Sequence, residues 1–369
     1  MSEAVSGILK SGKKGGLAIR DPRRSYARGG SQLAVPPELV HKYRLVEGAQ
    51  VTAVTEKTRK GVRLAGIESI CGLEPETFKN RKPYSDLVAI NPDERFNLSA
   101  SGAPSVRIVD LIAPIGKGTR GLIVSPPKAG KTTMLKDIAN GIHAYDPNVR
   151  VIVLLIDERP EEVTYFRRGV QAEVVASSID QNLDEHIELA ELMLAHIRVD
   201  LECGRDVVVL VDSITRMGRA FNRAEKGNGR IMSGGLGAGA MEIPRRFFGL
   251  ARNIEGGGSA TIIGTCLVDT GSRMDQLIFE EFKGTGNSEI VLDRRLAEAR
   301  IFPAIDIPAS GTRREEELYT PEQMRAVATI RRVLTSYNSV EAMGAMHKLL
   351  QKYPTNELLL KSIGAGPIQ

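Results

Sequence analysis

The chain has 369 residues, of which 42% are hydrophobic and 26% charged, a composition typical of a water-soluble globular protein with more than one domain. It has no apolar run of the roughly 18 residues that a membrane-spanning helix needs, and its first residues lack the apolar core of a secretion signal, so we predict a cytoplasmic protein without membrane association. The three cysteines, Cys71, Cys203 and Cys266, lie far apart, which argues against a disulfide framework or a zinc site and predicts that all three are buried as small apolar side chains.

Residues 1–72 are predicted to form a small basic domain. The short β segments SGILKS, GLAIR, SQLAV, QVTAV and VRLAGIESI, separated by glycine-rich and charged turns, indicate a small, five-stranded β barrel. Residues 1–60 carry twelve lysines or arginines against five acids, a net charge of +7, whereas the rest of the chain carries −2. A basic module on a nearly neutral body favours a polyanionic partner, although charge alone leaves open a merely solvated basic face.

Residues 73–105 are rich in proline and lack periodicity, which predicts a linker lying against the domain that follows. Residues 106–369 alternate apolar runs, such as 151–157, 207–212 and 260–267, with amphipathic stretches such as 131–144 and 184–203. This alternation predicts an α/β domain with a mostly parallel sheet covered on both faces. Residues 320–360 are predicted to be helical throughout and to close the domain.

The segment 121–133, GLIVSPPKAGKTT, predicts a strand, a tight loop and a helix that together bind nucleotide phosphates. Lys131 would reach the β- and γ-phosphates of ATP, and the Thr132 hydroxyl would join the Mg²⁺ shell. Ser125 replaces the first glycine of the usual motif. The residues expected to contact ATP here are Pro127, Lys128, Ala129, Gly130, Lys131, Thr132 and Thr133.

Two later strands end in acids, as hydrolysis requires. The run VVVLVD ends at Asp212, which fits a Mg²⁺ ligand, although an N-cap of the following helix is the plainer alternative. The run VIVLLIDE ends at Glu158, which we predict to be the catalytic base with Asp157 as its structural neighbour. Helix capping by some of these acids remains open.

Several long segments resemble the ATPase domain of the bacterial transcription terminator Rho family. They are PPKAGKTT, LLIDERPEEVT, LVDSITRMGRAFN, PRRFFGLARNIEGGGSATIIGTCLVDTGSRMDQLIFEEFKGTGNSEIVL and RIFPAIDIPASGTRREEEL. The resemblance covers about three quarters of the chain, from about Tyr84 to Leu360. It implies a RecA-like fold, a homohexameric ring with ATP between subunits, single-stranded RNA as the polymer that is moved, and the RNA polymerase elongation complex as a partner.

The resemblance also implies roles for particular residues at the nucleotide. Arg313 matches the arginine finger that reaches the ATP of a neighbouring subunit, where it would stabilise charge on the transferred phosphoryl group. Arg300 and Arg159 match further arginines at that interface, and Phe302 matches the aromatic residue that stacks on adenine. For each arginine, an exposed surface charge is the plainer alternative.

Two loops are implied to line the central pore and bind RNA. The first is residues 223–239, with Lys226, Arg230, Gly234 and Gly235; its composition alone equally fits a flexible surface loop. The second contains Thr270, Gly271, Ser272 and Arg273, with Lys283 placed just behind it.

The resemblance implies that residues 5–72 take the place of an OB or cold-shock-like RNA-binding barrel. It weakens there, because glycine, leucine and isoleucine stand in place of the stacking aromatics of such barrels and Tyr26 is the only aromatic in the first forty residues. Any RNA bound there is expected to be held by charge, without sequence preference and with strong salt sensitivity. Two alternatives stay open: a rotary or secretion-type ATPase of the same superfamily, and a nucleic-acid-binding ring that does not hydrolyse ATP.

Overall fold

A computed structural model describes residues 3–12, 15–27, 33–58, 61–225, 233–237 and 239–364. The N-terminal part is an antiparallel sheet of β1 (Glu3–Ser11), β2 (Leu17–Arg20), β3 (Leu33–Ala34), β4 (Gln50–Thr58) and β5 (Gly61–Ile70), with helix α1 (Pro37–Tyr43) before β4. The strands follow the order β3-β2-β1-β4-β5, and the two edge strands, β3 and β5, pack close to each other. The sheet thus curls toward a barrel, which confirms the predicted OB-like architecture.

Residues 73–103 run along the larger domain. They contain helix α2 (Pro75–Lys79) and a short strand β6 (Ala89–Ile90). β6 pairs with β11 (Arg252–Ile254), an antiparallel strand attached to the edge of the main sheet. This pairing ties the segment to the larger domain through backbone hydrogen bonds.

The larger domain is built on a second sheet. Within the described residues its strands follow the order β14-β13-β7-β12-β10-β8-β9, and all neighbours among β13, β7, β12, β10, β8 and β9 are parallel. The strands are β7 (Arg120–Ser125), β8 (Arg150–Glu158), β9 (Glu173–Ser178), β10 (Val207–Asp212), β12 (Ser259–Leu267), β13 (Ser288–Val291) and β14 (Gly311–Thr312). The apolar runs of the sequence are these strands, and the predicted α/β fold class is confirmed.

Helices cover both faces of this sheet. One face carries α3 (Pro104–Ile112), α4 (Lys131–Tyr145), α5 (Pro160–Gly169), α10 (Arg294–Glu298) and the C-terminal helices, and the other carries α6 (Leu183–Glu202), α7 (Ile214–Glu225), α8 (Glu242–Phe248) and α9 (Arg273–Lys283). Successive residues of β7 alternate between the two cores, with Ile123 in one and Leu122 and Val124 in the other. This alternation explains why buried strands read as continuous apolar runs.

The C-terminal region differs from the prediction of an uninterrupted helical stretch. It consists of α11 (Pro321–Leu334), α12 (Ser339–Lys352) and α13 (Asn356–Gly364). Thr320 and Asn338 each form a capping box with the residue three positions on, Gln323 and Glu341, so α11 and α12 begin at defined positions. Among the described residues, no helix is long and apolar enough to cross a membrane.

The N-terminal sheet is anchored to the larger domain along α6. His196 Nδ1 lies 2.7 Å from the carbonyl oxygen of Gly48, and Arg150 Nη1 lies 2.5 Å from His196 Nε2. Because a guanidinium can only donate, Nε2 accepts and Nδ1 carries the proton that is donated to Gly48. Gly48 has φ of +91°, and a Cβ at this position would lie 2.4 Å from the carbonyl carbon of Ala195. Glycine is therefore required here both for backbone conformation and for close packing.

A buried polar network surrounds this anchor. Arg150 also donates to Asp200 Oδ2 at 2.8 Å and to Glu173 Oε2 at 2.6 Å, and the Tyr26 hydroxyl donates to Glu173 Oε1. Tyr26 is only 4% exposed. The one aromatic residue of the first forty is thus a structural anchor and is not available as a platform for a base.

Cys71 and Cys266 are buried, but Cys203 is only partly buried, because it lies at the C-terminal end of α6 where the two domains meet. The prediction of three fully buried cysteines is therefore wrong for Cys203.

Candidate active site

The phosphate-binding loop connects β7 to α4. Gly130 has φ of +97° immediately before α4, and Lys128 has φ of +66°. The N–H groups of the first helical turn have no partner within the helix, so the N terminus of α4 is suited to phosphate. Ser125, which replaces the first glycine of the motif, is buried and its hydroxyl donates to the Pro126 carbonyl oxygen at 2.8 Å. Its polar group is therefore satisfied within the loop itself.

Lys131 and Asp212 form the closest charged contact of the site. Lys131 Nζ donates to both Asp212 carboxylate oxygens, at 2.8 and 2.6 Å. Thr265 lies on β12, the strand between β7 and β10, and its Oγ1 donates to Asp212 Oδ1 at 2.9 Å. The N-cap alternative for Asp212 is not realised, because Ser213 Oγ accepts the Arg216 N–H at 3.1 Å at the start of α7.

Glu158 lies at the carboxyl end of β8, directly beside β10 in the sheet, and is buried. Its Oε1 accepts the Arg159 N–H at 3.0 Å, while Oε2 has no hydrogen-bond partner among the described residues and lies 3.8 Å from Lys131 Nζ. Burial, followed by the negative charge of Asp212, raises the pKa of Glu158 above its ordinary value. A buried carboxylate with raised proton affinity and one free oxygen is suited to accept a proton from water.

Arg216, which the sequence did not single out, holds Glu158 in place. Its Nη2 donates to Glu158 Oε1 at 3.3 Å and its Nη1 to the Asp157 carbonyl oxygen at 2.7 Å. Asp157 itself has φ of +55°, so the end of β8 turns sharply here. The available signal was the position of Arg216 one helical turn after Asp212, which brings it to the same edge of the sheet.

A base-sized cavity adjoins the loop. It has a volume of about 380 Å³ and is lined by Gly130, Thr133, Asp137 and Phe302, among others. The Phe302 ring is 47% exposed and lies 3.8 Å from where a Cβ of Gly130 would be. Ser105 donates a hydrogen bond to Asp137 in the cavity wall, another contact that the sequence did not indicate. An exposed ring beside the phosphate loop is suited to stack on a base.

The three predicted arginines lie at two different edges of the sheet. Arg159 begins α5 at the carboxyl ends of the strands, and Arg300 lies two residues before Phe302, so both are on the side of the phosphate loop. Arg313 follows β14, which pairs with the first residue of β13, Ser288, itself in register with Gly121. Arg313 therefore lies at the opposite end of β7 from the phosphate loop. The four residue steps from Gly121 to Ser125 along β7 correspond to about 13 Å.

Asn287 fixes the backbone that carries Arg313. Its carbonyl oxygen accepts the Arg313 N–H at 2.7 Å, its side-chain Oδ1 accepts the Arg120 N–H at 2.8 Å, and its own N–H donates to the Arg120 carbonyl oxygen at 2.9 Å. The Arg120 guanidinium donates to the Thr285 carbonyl oxygen. Burial, then the charges of Arg252 and Arg313, lower the pKa of Arg120. Several cations therefore crowd this edge of the sheet.

The predicted RNA-binding residues do not form one cluster. Lys226 and Arg230 lie outside the described residues. Gly234 and Gly235 both have positive φ, and Gly234 packs against α9, where a Cβ at this position would lie 2.5 Å from Leu277 Cδ1. The segment with Thr270, Gly271, Ser272 and Arg273 begins α9, and Thr270 Oγ1 donates to Asp275 Oδ2 at 2.6 Å.

Lys283 is the last residue of α9 and is therefore separated from Arg273 by the length of that helix, about 15 Å. It lies next to the 285–287 turn on the Arg313 side. The structure thus groups Lys283 with the edge that bears Arg313, whereas Gly234, Gly235 and residues 270–273 share the other end of α9.

The oxygen donors of the site fit Mg²⁺. No group of three or more His, Cys, Asp or Glu side chains within the described residues could hold a metal ion. The Thr132 hydroxyl and the Asp212 carboxylate are hard oxygen donors, and Mg²⁺ is usually held by one or two such groups together with phosphates and water. The unpartnered Glu158 Oε2 adds an oxygen that remains free to bind water.

Comparison with known proteins places this site in a family. The model of the ATP synthase alpha/beta family, nucleotide-binding domain, matches residues 105–312. Transcription termination factor Rho of Aquifex aeolicus is 45% identical over 98% of this chain and 85% of its own length, and that of Cereibacter sphaeroides is 43% identical over 95% and 85%. The Streptosporangium roseum factor is 45% identical over 98% of this chain and 92% of its own.

Two solved structures share the fold. A prototypical ATPase of a bacterial type III secretion system superposes with a TM-score of 0.63 at 24% identity, covering 76% of this chain and 87% of its own. The assembled ATPase EscN of enteropathogenic E. coli gives 0.63 at 20% identity, covering 98% and 97%.

Proposed function

The chain belongs to the family of transcription termination factor Rho, and we propose that it ends transcription by hydrolysing ATP to pull nascent RNA through a ring of identical subunits. The observation that carries this proposal is the convergence of the phosphate-loop lysine, Lys131, on two strand-end acids, Asp212 and Glu158. A site with these parts is suited to phosphoryl transfer to water. The partners would be single-stranded RNA and the RNA polymerase elongation complex, in the cytoplasm.

Each residue of the site would have a distinct task during hydrolysis. The N–H groups at the start of α4 and the Lys131 ammonium would bind the β- and γ-phosphates, so Lys131 would exchange part of its contact with Asp212 for phosphate oxygens. Mg²⁺, held with ATP by Thr132 and Asp212, would neutralise phosphate charge. Glu158 would orient a water molecule through its free Oε2 and accept its proton, while Arg216 and the Arg159 N–H keep the other oxygen fixed.

The location of Arg313 supports action between subunits. The length of a strand separates its backbone from the phosphate loop of its own chain, so Arg313 lies at a different edge of the sheet. A neighbouring subunit packed head to tail would bring this edge against the nucleotide, and such heterologous contacts close into rings. We therefore propose that Arg313 completes the active site of the next subunit, with Arg300 and Arg159 at the same interface, in a homohexamer.

RNA contacts are proposed for the loops at the N-terminal end of α9 and for the basic N-terminal sheet. Gly234, Gly235 and residues 270–273 lie together and would face the pore along with Lys226 and Arg230. The N-terminal sheet would bind RNA through phosphates, because Tyr26 is buried and provides no stacking surface. Lys283, at the far end of α9 from these loops, is proposed as a further RNA contact.

The first test is ATP hydrolysis by the purified protein with and without single-stranded RNA, at several salt concentrations and with pyrimidine-rich and mixed sequences. We expect strong RNA stimulation that is lost in Lys131→Ala and is equal for both RNAs. Turnover that ignores RNA would favour a secretion-type ATPase, whose fold this chain shares. Absence of turnover in the unaltered protein would favour a ring that binds nucleic acid without hydrolysis.

The second test asks whether Arg313 acts between subunits. Lys131→Ala and Arg313→Ala proteins should each be inactive alone, and subunit exchange between them should restore part of the activity. Each mixed interface that joins the intact loop of one subunit to the intact Arg313 of the other is a complete site. No recovery after demonstrated exchange would show that both residues serve the same subunit's site.

A further inference from the structure

A positively charged cleft lies where the N-terminal sheet meets the larger domain. Its volume is about 590 Å³, within the range of clefts that hold ligands. Its walls come from the turn after α1, the segment after α2, the C-terminal half of α6, and α8. Helix α8 begins at Glu242, just after residues 223–239, which are proposed to form the first pore loop. The cleft therefore extends from the basic N-terminal sheet toward the base of that loop.

The charges of the cleft are unbalanced. Five cations line it, Arg44, Lys79, Arg81, Arg198 and Arg246, against two acids, Glu47 and Glu202. Glu47 is already paired with Lys10 at 2.7 Å, outside the cleft lining. Arg81 pairs with Glu202 at 2.9 Å at the floor, where their side chains are 12% and 7% exposed. The other four cations therefore give the cleft an excess of positive charge.

These four cations are accessible. The side chains of Arg198 and Arg246 are 50% and 58% exposed, and Arg44 is exposed as well. Two of their ionic contacts within the protein are long, 3.9 Å from Arg246 to Glu242 and 3.8 Å from Lys79 to Glu76, whereas Arg198 Nε donates to Glu202 Oε1 at 3.3 Å. The acids of the two long pairs, Glu242 and Glu76, are 71% and 66% exposed, and surface ion pairs of this kind contribute little and are readily exchanged for a stronger anion.

We propose that this cleft binds the phosphates of the RNA segment that passes from the N-terminal sheet to the pore. Cations spread over four structural elements suit a flexible polyanion, whose backbone they would contact without reading bases. Stacking has no support here, since the nearby Tyr84 ring is covered by Arg198 and Arg252, whose guanidinium carbons lie 5.3 and 4.5 Å from its centroid. This inference rests on the proposed function and names the surface that guides the polymer into the motor.

The test uses the full-length protein with Arg44→Gln, Lys79→Gln, Arg198→Gln and Arg246→Gln combined. Arg81 is left unchanged because its loss would leave Glu202 buried with a weaker partner. A matched control combines Arg325→Gln, Arg332→Gln, Lys348→Gln and Lys352→Gln, four exposed cations on the C-terminal helices. The affinity for a fluorescent single-stranded RNA is measured across salt concentrations.

Each phosphate contact on a single strand contributes about 0.7 to the slope of log affinity against log salt, so the cleft variant should lose about 3 from that slope. The control should keep the slope, and RNA carrying 4-thiouridine should crosslink to α6 peptides around Leu194 in the unaltered protein. An unchanged slope in the cleft variant, beside RNA-stimulated turnover in the unaltered protein, would overturn the cleft and leave the proposed function standing.

Two further outcomes are informative. Failure of the unaltered protein to bind RNA would overturn both proposals. Unchanged RNA binding by the cleft variant together with lost binding of a poly-glutamate peptide would overturn the RNA assignment in favour of an acidic protein segment.

Discussion

The nucleotide edge of the main sheet and the junction between the two domains are both built from buried charged groups, but they differ in how they are encoded. At the nucleotide edge, Lys131, Glu158 and Asp212 each follow directly from a strand or a tight loop. At the junction, Arg150 connects Glu173, His196 and Asp200, with Tyr26 and Gly48 contributed by the small sheet. The residues of the nucleotide edge can be located from sequence motifs. The residues of the junction come together only when the chain folds.

The difference teaches that a buried charge is not by itself a sign of catalysis. Both networks desolvate their acids, yet only Glu158 keeps an unpartnered oxygen and a raised pKa beside a loop that can bind phosphate. In the junction, burial also acts on Glu173, but the Arg150 charge and hydrogen bonds from Tyr26 and Arg150 outweigh it and lower the pKa of Glu173. A satisfied network fixes domains, whereas an incompletely satisfied one leaves an atom free for chemistry.

The substitution Glu158→Gln is the strongest test of the difference between a catalytic and a structural buried charge. Loss of the proposed base should lower ATP turnover about 100- to 10,000-fold, because glutamine cannot accept the proton. Nucleotide affinity and the melting temperature should stay close to those of the unaltered protein, since the amide is isosteric. Single-turnover hydrolysis together with nucleotide binding measures both. The control is Glu161→Gln, an exposed acid in the first turn of α5, and equal losses in the two variants would contradict the assignment.

Gly48→Ala should produce the opposite pattern. The new Cβ meets the Ala195 backbone and the residue must keep a left-handed conformation, so we expect destabilisation of the junction by about 3 kcal/mol. Hydrogen exchange of β1 and β4 amides should accelerate. Gly66→Ala, in β5 with open space around it, is the control. Unchanged exchange in Gly48→Ala would show that the contact does not hold the small sheet in place.

Phe302→Ala tests the outer part of the nucleotide site. Loss of stacking on a base is worth about 1–3 kcal/mol, so the KM for ATP should rise about 5- to 150-fold. The rate at saturating ATP should change less, because the ring is not among the groups that contact the phosphates. Phe302→Tyr should restore the low KM. An unchanged KM in the alanine variant would exclude stacking.

The smallest expected effect is the pH dependence of the junction. Burial lowers the pKa of His196, with the Asp200 carboxylate opposing, so the folded protein binds fewer protons there than the unfolded chain. Stability should therefore fall as the pH drops below about 6.5, the ordinary value for histidine. The melting temperature of the unaltered protein should decline more steeply than that of His196→Gln, which stays neutral. Parallel declines would place the pH dependence in other groups.

Much of the nucleotide site could be predicted because its chemistry depends on strand ends. An apolar run closing in Asp212 or Glu158 places the carboxylate at the carboxyl edge of a parallel sheet, and a glycine-lysine-threonine sequence after another such run places the ammonium beside it. The sequence allowed Asp212 to be either a Mg²⁺ ligand or the N-cap of the next helix. The hydrogen bond from the Arg216 N–H to Ser213 Oγ argues against the N-cap. The breaks between the C-terminal helices were also encoded, in the Asn338–Glu341 capping box, but were concealed by continuous amphipathic patterning.

What could not be predicted depends on contacts between residues distant in sequence. Asn287 holds Arg313 through its backbone, and no pattern of composition or periodicity detects it. Arg216 lies one helical turn after Asp212, but its partner, Glu158, is 58 positions away, so its role depends on the folded chain. Lys283 shows the related difficulty that nearness in sequence is not nearness in space, since an entire helix separates it from Arg273. The burial of Tyr26 could not be predicted either, because its hydrogen-bond partner, Glu173, is 147 positions away.

Helix α6 connects the nucleotide site, the domain junction and the charged cleft. It is 20 residues, or about 30 Å, of continuous helix. Along it, His186 lies 3.7 Å from Asp157 beside the nucleotide site, Glu188 and His196 hold the small sheet, and Glu202 lies at the floor of the charged cleft. A regular helix behaves as a stiff rod, so its two ends cannot be displaced independently. One continuous helix therefore connects the cleft proposed to hold RNA with the strand end that bears Asp157 and Glu158.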